Sequence, residues 1–404
     1  MSISTPQQTL NRLTVIVLIQ WMGATLGLPL LALFLEHRGG SPHVIGLIVA
    51  AFFIAGVVTQ YFLGHLADKF GRRPVIVLSL VAYGLASMTY ALPLSAVWFT
   101  LTRAVQGASA GALEVASMSA VAALFAENER GRAVSRILAA QLVGAAVGPL
   151  AGIVASVKNL GWVFFVTGLI SLVAAIVAFH TNVGDQAYDP TPLPPMKWNR
   201  PFVGALVAAA ATGLAVGVYE TCWSLLMHAH HATTLQIRLS WTMFCLPWVA
   251  LSHTGGWFAD HLNRRYTALF GLLNGAAFLA TYPHIHNNVV MLFLGSAESL
   301  GAALSSPSIA SMLSQGAQSR ELSRRQGVYA TSTTASMALA AMGSGYLFTV
   351  NTALPFTLVA IMSSLLAIST LYFWRGVSGR INAPAAPVPR RLNYRRRTSS
   401  RRDT

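Results

Sequence analysis

Three acids and one base interrupt long apolar runs of this chain: Glu114, Glu220, Glu298 and Arg103. A charged side chain at bilayer depth is costly and marks an ion or substrate path by default. A carboxyl withheld from water can take up and release a proton there, so Glu114, Glu220 and Glu298 are the candidates for proton coupling, and Arg103, a base within a span with Gln106 one turn on, is a functional candidate beside them. Arg103 and Glu114 are separated by roughly 20° around a helix and roughly 16 Å along it, sharing a face with room between them for a water or a substrate. Glu298 follows Gln106 by 192 residues, an offset that recurs below and suggests that both face one central space. Tyr219 and Trp223 flank Glu220 and offer aromatic surfaces to an apolar or cationic ligand. Together with Gln20, the polar residue in the middle of the first run, they are the candidate cavity lining. Each acid has a plainer alternative, a structural role paired within the helix packing.

The elements that hold these residues are membrane spans. Of the 404 residues, 54% are hydrophobic and 10% charged, where a soluble chain carries about a quarter charged. A bilayer core takes roughly 20 apolar residues per helix. Such runs can be drawn near 13–35, 44–64, 75–94, 97–125, 134–157 and 161–180, then near 202–227, 237–258, 266–283, 289–314, 328–350 and 353–374. The expected fold is therefore an all-α membrane protein with twelve spans in two six-helix halves, 13–180 and 201–374. A polar N-terminus (1–12), a proline-rich and acidic linker (181–200) and a basic tail (375–404) flank them.

A ten-residue string occurs twice between spans, GHLADKFGRR from Gly64 and GWFADHLNRR from Gly256, again 192 residues apart. Glycine allows close helix approach, and an aspartate with two arginines on one short turn supplies both charges of a latch. The latch residues are Gly64, Asp68, Gly71, Arg72 and Arg73, echoed by Gly256, Asp260, Arg264 and Arg265, with Asn263 where the first copy has Gly71.

The net charge of +15 is spread by topology. With the N-terminus inside, the outer loops keep only Arg38, Lys158 and Arg238, and the rest of the 27 Lys and Arg, Arg103 excepted, fall on the cytoplasmic side. The basic tail is expected to anchor topology on anionic lipid, and without a folded module around it nucleic acid is not an expected partner. The start of the chain lacks the layout of a cleaved signal peptide. Cys222 and Cys245 lie in or beside apolar runs and do not form a disulfide or metal framework. His228, His230 and His231 cluster beyond the seventh span, where polar loop residues are a better account than a metal site or pH sensor. No cofactor, metal or enzymatic nucleophile is expected.

GHLADKFGRR closely resembles the signature of the major facilitator superfamily in the loop between helices 2 and 3, and the resemblance covers about residues 13–374. It implies that Asp68 contacts the cytoplasmic start of helix 11, near Gly327, where a helix dipole would favour an acid. LTRAVQGASAGA, from Leu101, resembles the superfamily's helix 4 motif and assigns proton coupling to Arg103. Gly144, Gly148, Pro149 and Gly152 reproduce the helix 5 pattern associated with antiporters, with Ile153 where many members have a second glycine. Glycines four apart make a smooth packing face, and Pro149 removes a backbone hydrogen bond and permits a bend. Many proton-coupled drug antiporters carry an acid in helix 1; this chain has Gln20 there, so coupling must use other helices.

The resemblance implies a monomeric secondary transporter of the drug/proton antiporter branch in a cell membrane, bacterial inner membrane above all, with both termini cytoplasmic. Its expected partners are a small-molecule substrate, protons and lipids, and the expected motion is a rocking of the two halves about a central site. The alternatives are a proton symporter importing a small metabolite and a non-transporting receptor or scaffold of the same fold.

Overall fold

The structure, a computed structural model, describes residues 5–125, 127–153, 155–181, 196–316 and 319–377. It is helical throughout, with no strand among the described residues. The first half contains α1 (Pro6–Leu26), α2 (Leu31–His37), α3 (Pro42–Phe70), α4 (Arg72–Met88), α5 (Ala96–Leu124), α6 (Glu127–Ala151) and α7 (Leu160–Phe179). The second contains α8 (Arg200–Ala229), α9 (Thr234–His261), α10 (Arg264–Thr281), α11 (Asn288–Ser314), α12 (Ser319–Val350) and α13 (Leu354–Phe373). By length and composition eight described stretches are apolar enough to cross a membrane, one of them running through α1 and α2. The remaining long helices are α5, α9, α10 and α12.

Local sequence sets the helix ends. Thr5 closes a reciprocal cap with Gln8, so the first helix starts at Pro6 and not near 13. That span is also broken: after Leu26 the chain turns through Leu28–Leu30, because Pro29 has no N–H to continue the ladder, and resumes as α2. Ser41 and Asn199 cap α3 and α8 through their side chains. Gly71, at φ 87°, makes the sharp turn from α3 to α4, a backbone region that other residues avoid. α12 starts at Ser319, well before the expected 328, because Glu321 and Arg325 pair at 3.0 Å one turn apart and extend the helix beyond its apolar stretch. Gly327 therefore lies inside the helix, and the favourable dipole end sits nearer Glu321. α6 stops at Ala151, short of the expected 157. Most of the linker and nearly all of the basic tail lie outside the described residues.

The two ends of the bundle differ. At the end away from the chain termini, here the distal end, one continuous core joins both halves: Leu30, Phe34, Ile45 and Phe164 from the first with Leu226, Ile237, Ala341 and Phe356 from the second. At the proximal end the described residues form two separate cores. One lies around Leu13, Leu80, Val121 and Ile137, the other around Phe202, Ala268, Met312 and Trp374. Burial thus fastens the halves together distally and leaves each to its own core proximally.

Candidate functional site

Glu298, on α11, is 6% exposed and held by two phenols. Tyr219 of α8 donates to its Oε1 at 2.9 Å, and Tyr282, just beyond α10, donates to its Oε2 at 2.7 Å. The Asn274 amide donates to the Glu298 backbone carbonyl at 3.2 Å. Trp223 stands edge-on to Tyr282, ring centroids 4.8 Å apart, and its indole N–H donates to Ser240 at 2.8 Å. An acid buried without a cation is thereby satisfied by hydroxyl donors and walled by aromatic rings.

The matching place in the first half carries the opposite charge. Positions 192 residues before Tyr282, Gly295 and Glu298 are Tyr90, Arg103 and Gln106. Arg103, 4% exposed, donates to Gln106 Oε1 at 3.2 Å, and Gln106 donates onward to Ser87 at 2.9 Å. Its guanidinium lies 4.4 Å from the Phe52 ring centroid, and its Nε is without a partner. Glu220 is half-buried on α8 next to Tyr219, so that helix holds a second acid beside the acidic centre of its half.

The expected common face of Arg103 and Glu114 exists, but α3 fills the space between them. Glu114 accepts from Gln60 Nε2 at 3.2 Å, and between the two charges Gly107 and Gly111 lie against the backbone of Phe52 and Gly56. Two helices in glycine contact leave no gap for a substrate there. Gln20 is buried, its Oε1 accepting from Ser171 of α7 at 2.8 Å, which places that oxygen in the packing of the first half.

The antiporter-type glycines face α1. A methyl at Gly144 would stand 2.7 Å from the Leu18 carbonyl, and Gly148 and Gly152 meet Met22 and Leu26 in the same way, one turn further each time. Thr25 adds a hydrogen bond to the Gly144 carbonyl at 3.3 Å. In the repeated strings, Arg72 donates to Ser119 at 2.9 Å, Arg73 to the Phe179 carbonyl, and Arg264 to Ser311. The side chains of Gly64, Asp68, Gly256 and Asp260 lie outside the described residues, and so does the expected contact of Asp68. Arg265 continues at the start of α10, after Asn263, whose side chain caps that helix at Arg265 N. Of the histidines, His230 stacks on His286 with centroids 4.9 Å apart.

Tyr282, Phe52, Gln60 and Arg238 carry contacts that inspection of the sequence passed over. Tyr282 was within reach of it, since the offset that pairs Glu298 with Gln106 also pairs Tyr282 with Tyr90. The others act across helix pairs that only the fold brings together.

Two six-helix halves, a charge centre in each and a shared distal core define a secondary membrane carrier. The Major Facilitator Superfamily model matches residues 13–211 and again 201–399. The chain belongs to that superfamily and is a multi-pass transporter, not an enzyme. It is 24% identical over 217 residues to a quinolone resistance protein of Staphylococcus aureus, covering 52% of this chain and 56% of that one. It is 29% identical over 162 residues to multidrug resistance protein 2 of Bacillus subtilis, with 40% of each covered. A triacylglyceride transporter of Mycobacteroides abscessus matches at 30% over 179 residues, 43% of this chain and 33% of that one. The chain thus spans about half or less of the length of these relatives. Among solved structures, a bacterial homologue of the lysosomal transporter Spinster, inward-facing and unoccupied, aligns with TM-score 0.69 at 12% identity over 93% of this chain and 97% of the other. A peptide transporter aligns with TM-score 0.74 at 14% identity over 90% and 93%. These likenesses are ones of fold.

Proposed function

We propose that this carrier exports small, apolar or drug-like molecules in exchange for protons, working as a monomer in the cell membrane of a bacterium with both termini in the cytoplasm. The observation that carries the reading is the opposed pair of centres, Arg103 with Gln106 in one half and Glu298 with Tyr282 in the other, at positions related by the internal repeat. A carrier coupled to protons needs a group that changes charge inside the membrane, and Glu298 and Glu220 are the groups proposed for that role. The aromatic wall of Tyr219, Trp223 and Tyr282 suits an apolar ligand, and the relatives named for quinolone and multidrug resistance favour export. The repeated strings gate the proximal side, and the halves rock about the centre between them.

With the termini inside, the shared distal core closes the outer side and the separate proximal cores leave a cytoplasmic approach. Substrate enters from the cytoplasm, and a proton arriving from outside returns the empty carrier. The experiment is reconstitution in everted vesicles with an imposed pH gradient and a chemically broad substrate panel. Substrate accumulation inside, driven by an acidic lumen, is the expected result. Accumulation that runs with the proton instead identifies an importer and overturns the proposal, as does a gradient-independent signal for every compound.

A further inference from the structure

At the distal end the halves cross twice, and the repeat relates the two crossings. Where α3 meets α12, Gly46 lies so close that a methyl on it would stand 2.6 Å from the Ala341 carbonyl, and Gly345 lies equally close to the Pro42 carbonyl. Advancing Gly46 by 192 residues gives Arg238, and taking 192 from Ala341 gives Pro149. At this second crossing, between α9 and α6, the glycine is replaced by an arginine that is 1% exposed and donates through Nη1 to the Pro149 carbonyl at 3.4 Å and the Leu26 carbonyl at 3.1 Å. One crossing is backbone against backbone. The other is a side chain reaching across.

Both carbonyls are free for a sequence reason. Leu26 O could accept from residue 29 or 30, but Pro29 has no N–H and Leu30 N bonds to Gly27 O. Pro149 O could accept from Gly152 or Ile153, but these N–H groups go to Gly148 O and Leu150 O. Two helix C-termini of the first half, at the negative ends of their dipoles, therefore present unfilled acceptors to one guanidinium of the second. Gly152 lies against both Arg238 Nη1 and Leu26 O, so only a residue without Cβ leaves room for the contact. Neighbouring contacts run the same way: Ser224 donates to the Pro29 carbonyl at 2.6 Å and Thr242 to the Ala146 carbonyl at 3.1 Å.

We propose that Arg238 is the releasable latch of the distal gate. Arg238 Nε and Nη2 have no partner in the closed state. The closed latch thus leaves donors of a buried cation unsatisfied, and water entering at opening supplies them. Loss of the two carbonyl bonds is offset only in part by hydration, so the latch holds the gate shut and still releases. A glycine contact gains nothing from water in this way, so the latch lies at the α6–α9 crossing and not at the α3–α12 crossing. This latch operates whichever way substrate moves; only its assignment to the outer face rests on the topology proposed above.

The test uses the full chain with Cys222 and Cys245 replaced by alanine and one reporter, Leu30→Cys, at a distal core position that is 0% exposed. Reaction with a membrane-impermeant maleimide is timed in right-side-out and in everted vesicles. Arg238→Met should raise the labelling rate from outside by about fivefold or more, and Arg238→Lys, a point charge unable to fork between two carbonyls, by less. Should Arg238→Met fail to insert, Gly152→Ala keeps the arginine and pushes its Nη1 away with a methyl, and the same increase is expected. A rate within about twofold of the parent in every inserted variant overturns the latch. Labelling that rises in Arg238→Met only in everted vesicles overturns the topology and leaves the latch standing.

Discussion

Arg72 Nε donates to Ser119 Oγ at 2.9 Å, tying the start of α4 to the end of α5. The same two residue positions, shifted by 192 residues, are bonded across α10 and α11, where Arg264 donates through Nη1 to Ser311 Oγ. The repeated string is therefore conserved within the chain as a contact as well as a spelling. Each of these two bonds lies within its own half, and among the described residues the proximal cores around them are separate. Ser119→Ala and Ser311→Ala should each cost about 1–2 kcal/mol, as for a hydrogen bond to a charged donor. Because the two bonds lie on different helix pairs, the double variant should lose the sum. Unfolding of the purified protein in detergent checks this; a double variant departing from the sum by about 1 kcal/mol or more would refute the independence of the two ends.

Glu298→Gln keeps an acceptor oxygen for one tyrosine, offers an NH2 from which the other phenol accepts, and removes the titratable group. Proton-driven transport should drop by about tenfold or more while the melting temperature barely moves, since the cage of Tyr219 and Tyr282 persists. Glu298→Ala leaves two buried hydroxyls unsatisfied and should lose stability as well, by about 1–3 kcal/mol for each. Transport in proteoliposomes with and without a pH gradient, beside thermal unfolding, separates the two effects. Full coupling in Glu298→Gln would move the proton to Glu220.

The glycine face of α6 gives a test of packing alone. Gly144→Ala puts a methyl 2.7 Å from the Leu18 carbonyl, and overpacking of this kind costs about 1–3 kcal/mol. Gly343→Ala, on an exposed part of α12 with nothing within 4 Å, should instead be neutral or stabilise by up to about 1 kcal/mol, as alanine does in an open helix position. Equal losses at both positions would show that helix propensity, not contact with α1, governs the motif.

The architecture was legible because span length, the doubled string and the apolar bulk are one-dimensional signals. So were the charged candidates Arg103, Glu114, Glu220 and Glu298, since a charge stands out in an apolar run. What each one touches was not. Helical geometry placed Arg103 and Glu114 on one face correctly, yet it could not say that Phe52, Gly56 and Gln60 of α3 would occupy that face. Arg238 was counted as a loop charge, because its value depends on two carbonyls from helices 89 and 212 residues away. The break in the first span was written in Pro29, but hydropathy averages over a single proline.

The distal histidines make stability depend on acid. Desolvation, then the neighbouring His286, holds His230 below the ordinary histidine range, while the Ile285 backbone opposes the shift. His230 stays neutral in the folded protein at a pH where the unfolded chain, with an ordinary value of about 6.5, already binds a proton. The unfolded state thus gains protons first as pH falls, so the contribution of neutral His230 is complete above about 6.5 and declines below it. The melting temperature of the parent should fall between about pH 7.5 and 5.5, and His230→Gln, uncharged at both values, should lose part of that fall. Thermal unfolding of the two proteins in matched buffers is the measurement. An identical pH dependence in parent and variant would place the acid sensitivity elsewhere.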